Sequence, residues 1–180
     1  MKKILVFLLV TVLFFGCQGA NSEQKKVGGK AMDEKTNLQT ATFAGGCFWC
    51  TEADFEKVKG VVRVVSGYAN GTGDRPTYED YAQKGYVEAV RITYDPLQVT
   101  YGQLLDVFWR HVDPTDGGGQ FYDRGPHYRP AIFYHDEEQK RLAAKSRDAL
   151  GKSGPFKKPI ATDILPAGKF FEAEDYHQDY

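Results

Sequence analysis

Gly45-Gly46 joins a short strand-like run at 40–44 to Cys47-Phe48-Trp49-Cys50, which opens a helical pattern. Two glycines let the backbone turn tightly and approach closely at this junction. The junction therefore fixes where the first helix begins and sets a thiol at its N-terminus. Unpaired backbone N–H groups and the positive end of the helix dipole favour thiolate there. Cys47 is thus expected to be more nucleophilic at neutral pH than an ordinary cysteine. Cys50 follows one turn later, close enough for a disulfide after modest backbone adjustment. The pair reads as nucleophile and resolving thiol, with Phe48 and Trp49 as pocket wall.

The pattern onward from this junction describes one layered domain. Residues 47–59 read as a helix with Phe48, Phe55 and Val58 inward and Gly60 as its stop. A β-branched strand is expected at 61–68, a helical turn at 77–84 and a strand at 86–95. Residues 103–112 form an amphipathic helix burying Leu104, Leu105, Phe108, Trp109 and Val112, with Thr100 as a cap. A glycine-rich loop at 113–129 leads to a strand at 131–134 and a helix at 136–150 that Gly151 ends. A last strand is expected at 160–165. Strands interleaved with helices, some connections being too short for crossovers, predict an α+β fold. It is a two-layer sandwich of a mixed or antiparallel sheet with packed helices and a ferredoxin-like core.

The domain occupies residues 40–180. Ahead of it, Lys2 and Lys3 precede a hydrophobic run at 4–15, too short to span a bilayer comfortably, and then Gly16-Cys17. That order predicts a leader over 1–16 of the lipoprotein type, with Cys17 acylated; a plain signal peptide and a retained anchor helix are the alternatives. The protein is then exported and anchored to a membrane in the cell envelope or periplasm. Residues 17–39 lack hydrophobic periodicity and read as a flexible tether. With Cys17 lipidated, only Cys47 and Cys50 remain. An exported domain with a single close pair favours a working redox couple over a structural staple.

Two features beyond the cysteines carry chemistry. In the strand at 86–95 the even row is Tyr86, Glu88, Val90, Ile92 and Tyr94, one carboxylate within an apolar face; the odd row is more polar. Alternation places Glu88 among buried residues, where a carboxyl stays protonated to higher pH and can donate a proton. An edge position or an ion pair with an arginine would give the same letters. The loop at 113–129 is long enough to be functional. Asp123 and Tyr128 there offer hydrogen-bonding groups, or else a turn cap and a packed ring.

Composition excludes several classes. The 23 basic and 24 acidic residues form no basic stripe, so nucleic acid is not an expected partner. The cysteine spacing is zinc-like, but no second cysteine pair or spaced histidines follow, and no metal is expected. Thr51 after Cys50 rules out a haem attachment motif. A general thiol-disulfide oxidoreductase remains the nearest rival reading, and a monomer is expected.

Five segments together resemble the A-type peptide methionine sulfoxide reductases: Gly-Cys-Phe-Trp at 46–49, Arg-Pro-Thr-Tyr-Glu-Asp at 75–80, the strand at 85–96, the loop from Asp113-Pro114-Thr115 through Asp123 to His127-Tyr128-Arg129, and the run at 170–178. Departures are Cys50 where many members have glycine, Tyr86 in place of histidine, His127 and Pro130. No cysteine follows in a C-terminal tail either, so resolution falls to Cys50 or an external thiol. The resemblance implies reduction of the S epimer of methionine sulfoxide, free or in oxidised proteins. Cys47 is then the nucleophile, Glu88 the acid, and Tyr78 and Tyr128 the groups that bind the sulfoxide oxygen. Phe48 and Trp49 enclose the S-methyl group and Asp123 supports. Cys47 sulfenic acid is resolved as a Cys47–Cys50 disulfide and recycled by a thioredoxin-like donor, with no cofactor.

Overall fold

A computed structural model describes residues 37–153 and 155–180. The expected leader, Cys17 and the tether up to residue 36 lie outside the described residues. Among those described, no helix is long and apolar enough to cross a membrane.

The centre of the fold is a split βαβ unit followed by a second α–β unit. Strands β1 (Gln39–Ala44), β2 (Val61–Ala69), β3 (Val87–Tyr94) and β6 (Ala131–Tyr134) pair antiparallel in the order β6-β1-β3-β2. Helix α1 (Phe48–Glu56) connects β1 to β2 and α2 (Tyr101–His111) follows β3. This is the β-α-β-β-α-β order of a ferredoxin-like core. Helix α3 (Glu137–Ser153) follows β6. Strand β7 (Asp163–Pro166) adds parallel to β6 at one edge, and β8 (Phe170–Glu172) adds antiparallel to β2 at the other. A two-residue hairpin pair, β4 (Gly119–Gln120) and β5 (Asp123–Arg124), stands apart from the sheet.

Strand alternation decides what each face holds. Ala41, Phe43, Val90, Ile92 and Tyr94 join the core with Phe55, Leu104 and Phe108 from the helices. Phe43 is the hub: its ring lies 5.3 Å from Phe55, 5.2 Å from Phe108 and 6.0 Å from Tyr101. Thr100 caps α2 in a full capping box with Gln103, as the cap pattern anticipates. On the opposite face Ala44, Ala69, Val87, Ala89, Ala131 and Phe133 pack beneath Leu165, Ala167 and Phe170. The odd row of β3, read as the more polar face, is half-buried at Arg91 and Thr93 but buried at Val87 and Ala89, because the chain between β7 and β8 lies over its start.

That connection crosses from one edge of the sheet to the other and is tied down at Asn70. The Asn70 amide donates to the Pro166 carbonyl at 2.8 Å, and its oxygen accepts from Gly168 N–H at 2.7 Å. Gly67 is required beneath it, since a Cβ there overlaps the Phe170 ring and the Phe171 carbonyl. The crossing delivers residues 173–180 to the side of α1.

Several boundaries differ from the sequence pattern. Helix α1 ends at Glu56 rather than 59, with Lys57 as its cap, although Val58 packs on the core as expected. Gly151 does not stop α3, which runs on to Ser153. The last predicted strand shifts to 163–166, and β8 joins the sheet without having been anticipated.

Candidate active site

Cys47 is the N-cap of α1, with non-helical backbone (φ −55°, ψ 123°). Its carbonyl accepts from Thr51 N–H at 3.2 Å and from Thr51 Oγ1 at 3.0 Å, which closes the first turn. Gly46 makes the preceding bend at φ +92°, where an added Cβ would sit 2.6 Å from Gln120 Cβ. Gln120 is buried, and its amide nitrogen binds the carbonyls of Asp113, Asp116 and Gly119. The glycine-rich loop is thereby locked against the start of α1.

Glu88 reaches the same helix end from β3. It is 2% exposed, and its Oε2 accepts from the Phe48 N–H at 2.9 Å. That amide belongs to the residue next to Cys47, so acid and thiol share one helix N-terminus. Tyr81 donates its hydroxyl to Oε1 at 2.8 Å. Burial pushes the Glu88 carboxyl from 4.5 up to about 7, and the Asp123 charge adds to the rise. The Phe48 amide and the hydroxyls of Tyr81 and Tyr128 pull the other way and do not prevail. Alternation along β3 thus buries Glu88, and the carboxyl exchanges its proton near neutrality.

Cys47 behaves differently from the helix-end expectation. The half-buried thiol is pushed from 9.0 up to about 11 by burial, and the Glu88 charge contributes. N–H groups of Trp49 and Cys50 favour the thiolate, as the helix-end argument requires, but burial outweighs them. In the free protein Cys47 is a thiol.

Around this pair the aromatic residues divide into floor and walls. Phe48 is almost wholly buried, so most of its ring is core. His177 packs at a tilt against Phe48, Trp49 and Tyr78 with ring centroids 5.0, 5.5 and 4.6 Å away, and Tyr180 lies flat on Trp49 at 3.9 Å. Tyr78 is 41% exposed at the rim. Its N–H binds Glu174 Oε1 at 3.0 Å, while Tyr68 holds Oε2 at 2.7 Å. Half-buried Tyr128 sits in a 3-10 turn after β5, and its hydroxyl interacts with those of Tyr78 and Tyr81 and with Glu88. Asp123 is exposed on β5 and lines a cavity of about 300 Å³ together with Cys47 and Cys50. Cys50 itself is exposed.

Cys47, Phe48, Trp49, Cys50, Tyr78, Glu88, Asp123 and Tyr128, the site residues singled out from the sequence, therefore gather around the start of α1. Tyr81, Glu174 and His177 join them without having been anticipated. Tyr81 lies three residues after Tyr78 in the helical turn, the spacing that puts two side chains on one side. His177 lies within the C-terminal run that carried the resemblance.

A sulfur beside an acid that keeps its proton to near neutrality can attack a sulfoxide while the acid protonates the oxygen. Such chemistry marks a thiol-dependent oxidoreductase. The family model for peptide methionine sulfoxide reductase matches residues 39–180. The enzyme MsrA of Bacillus licheniformis is 54% identical over 151 residues, covering 83% of this chain and 82% of that protein. MsrA of Listeria monocytogenes serotype 4a is 52% identical over 148 residues, with coverage of 81% and 84%. Among solved structures, reduced Mxr1 from Saccharomyces cerevisiae superposes with a TM-score of 0.72 at 32% identity over 78% of this chain and 82% of that one. Methionine sulfoxide reductase A of Corynebacterium diphtheriae gives 0.70 at 31% identity over 82% and 75%. Mxr1 has also been solved in complex with Trx2, and that structure superposes with a TM-score of 0.56 at 26% identity over 79% of this chain and 86% of that one. The chain belongs to the peptide methionine sulfoxide reductase family.

Proposed function

We propose that the enzyme reduces the S epimer of methionine sulfoxide, free or within oxidised proteins, with Cys47 as nucleophile and Glu88 as acid. The observation that carries the reading is the bond from the Phe48 amide to Glu88, which holds the carboxyl at the helix end bearing Cys47. Oxide is a very poor leaving group unless protonated, so an acid at that point is what the reaction lacks in water.

Cys47 gives its proton to solvent as substrate binds, and Glu88 takes one back from solvent after the oxygen has been protonated. The partial positive charge on the sulfoxide sulfur and the N–H groups of Trp49 and Cys50 stabilise the thiolate. The thiolate attacks sulfur, and neutral Glu88 gives its proton to the oxygen. Tyr78 and Tyr128 hydrogen-bond that oxygen as charge develops. In the collapse the protonated oxygen moves from the methionine sulfur to the Cys47 sulfur, the bond between the two sulfurs breaks, and the thioether departs with that electron pair, leaving Cys47 as sulfenic acid. Cys50 condenses with it, water leaves, and a Cys47–Cys50 disulfide forms. A thioredoxin-like dithiol then restores both thiols, and no bound cofactor takes part. Trp49, His177 and Phe48 form the wall for the S-methyl group, and Asp123 biases Glu88 toward its neutral form.

Glu88→Gln separates this reading from general thiol-disulfide exchange, which makes no use of a buried acid. Loss of sulfoxide reduction with retained disulfide exchange supports the assignment; equal loss of both contradicts it. The exported, lipid-anchored form and the monomeric state belong to the same proposal. The hydrophobic run ending at Gly16-Cys17 supports the anchor. Fractionation of a Cys17→Ser variant tests it, and release from the membrane pellet is the expected result.

A further inference from the structure

Helix α1 gives the site two flanks. Trp49 faces the C-terminal segment, where His177 and Tyr180 pack on it. Cys50 and Asp54, one turn apart, face the end of α2 and the β4–β5 hairpin, and the cavity of about 300 Å³ that Cys47 and Asp123 line opens on this side beside Phe121.

Phe121 is the first of the two residues that join β4 to β5, and its φ is +50°. Hairpin turns place glycine or asparagine in that left-handed region, since a bulky side chain is strained there. Phe121 is nevertheless 73% exposed and Tyr122 beside it 100% exposed, so neither ring serves the core. A strained turn that holds two aromatic rings in solvent beside an exposed thiol points to a contact with another molecule.

We propose that the Phe121–Tyr122 tip and the adjoining cavity form the docking face for the thioredoxin-like protein that reduces the Cys47–Cys50 disulfide. The proposal rests on the reading of Cys50 as the resolving thiol. Of the two sulfurs, Cys50 is the exposed one and the one a protein nucleophile reaches. The donor thiolate attacks Cys50 Sγ, the Cys47–Cys50 bond breaks, and the electron pair leaves on Cys47, which takes up a proton. The donor's second thiolate then attacks the donor sulfur of the mixed disulfide and releases Cys50. Two electrons pass from the donor, which departs as its own disulfide.

Phe121→Gly tests the assignment without endangering the fold, because glycine relieves the left-handed backbone. Activity on N-acetyl-methionine sulfoxide is measured with dithiothreitol, and again with thioredoxin, thioredoxin reductase and NADPH, alongside thermal melting. The expected result is an unchanged or higher Tm, unchanged dithiothreitol-driven kinetics, and a KM for thioredoxin raised about tenfold, the effect of losing one aromatic anchor. An unchanged thioredoxin KM overturns the proposal. A raised KM for the sulfoxide with dithiothreitol overturns it as well and assigns this flank to substrate. Cys50→Ser serves as the separate control: retained thioredoxin-supported turnover there refutes the resolving role itself, whatever Phe121 does.

Discussion

Replacing Glu88 by glutamine isolates the acid from its scaffold. The carboxyl accepts from Phe48 N–H at 2.9 Å and from the Tyr81 hydroxyl at 2.8 Å, and the Tyr128 hydroxyl also interacts with it. A glutamine oxygen keeps the first, and its amide group donates to the Tyr81 oxygen once that hydroxyl turns. The fold therefore survives and only the transferable proton is lost. Positioned acid catalysis contributes about 10²–10⁴-fold, so kcat/KM for N-acetyl-methionine sulfoxide should fall by that factor. Stability moves the opposite way. Because burial raises the folded carboxyl from 4.5 to about 7, wild type is fully stabilised by this group below pH 4.5. It loses that contribution as pH rises to about 7, in all about 3 kcal/mol. Glutamine has no proton to lose, so Glu88→Gln should melt progressively higher than wild type across that interval. Steady-state kinetics with dithiothreitol and melting between pH 4 and 8 measure both effects. A variant that is slow but shows wild-type pH dependence of Tm would contradict the burial argument. One that is fast would contradict the acid role.

Other perturbations reach the remaining parts of the account. Tyr81→Phe removes a bond that favours the Glu88 carboxylate, so the alkaline limb of the kcat/KM profile should move to higher pH. In a Cys50→Ser background, iodoacetamide should label Cys47 slowly at pH 7 and faster toward about 11, since the reactive thiolate is scarce in the free enzyme. Phe43→Ala empties the contact between β1, α1 and α2 and should cost about 3–5 kcal/mol in urea denaturation. Asn70→Ala cuts the tie on the β7–β8 crossing and should loosen residues 173–180, seen as faster amide exchange there than in β3.

What the sequence discloses follows the range of the interaction involved. Period-two alternation in β3 is local, and it places Glu88 on the core side correctly. The capping box of Thr100 and Gln103 is local too, as is the glycine turn ahead of Cys47. Cys47 shows where local reasoning stops. Its helix-end amides are fixed by sequence, but the burial that overrides them comes from neighbours distant along the chain. Tyr81 becomes a partner of Glu88 only when the turn before β3 folds back over the strand. Strand β8 is three residues long and follows Pro166 and Gly168, too short and too broken to show a period. Gly151 fails as a stop because an exposed glycine near the end of a long helix costs only about 1 kcal/mol, which the preceding turns of α3 absorb.

Single turnover of Cys50→Ser tests the oxygen transfer itself. The variant is mixed with excess methionine sulfoxide and no reductant, then trapped with dimedone and digested for mass spectrometry. Transfer to Cys47 predicts one methionine per enzyme and a dimedone adduct on Cys47 alone. Methionine formed without an adduct on Cys47, or no methionine at all, contradicts it.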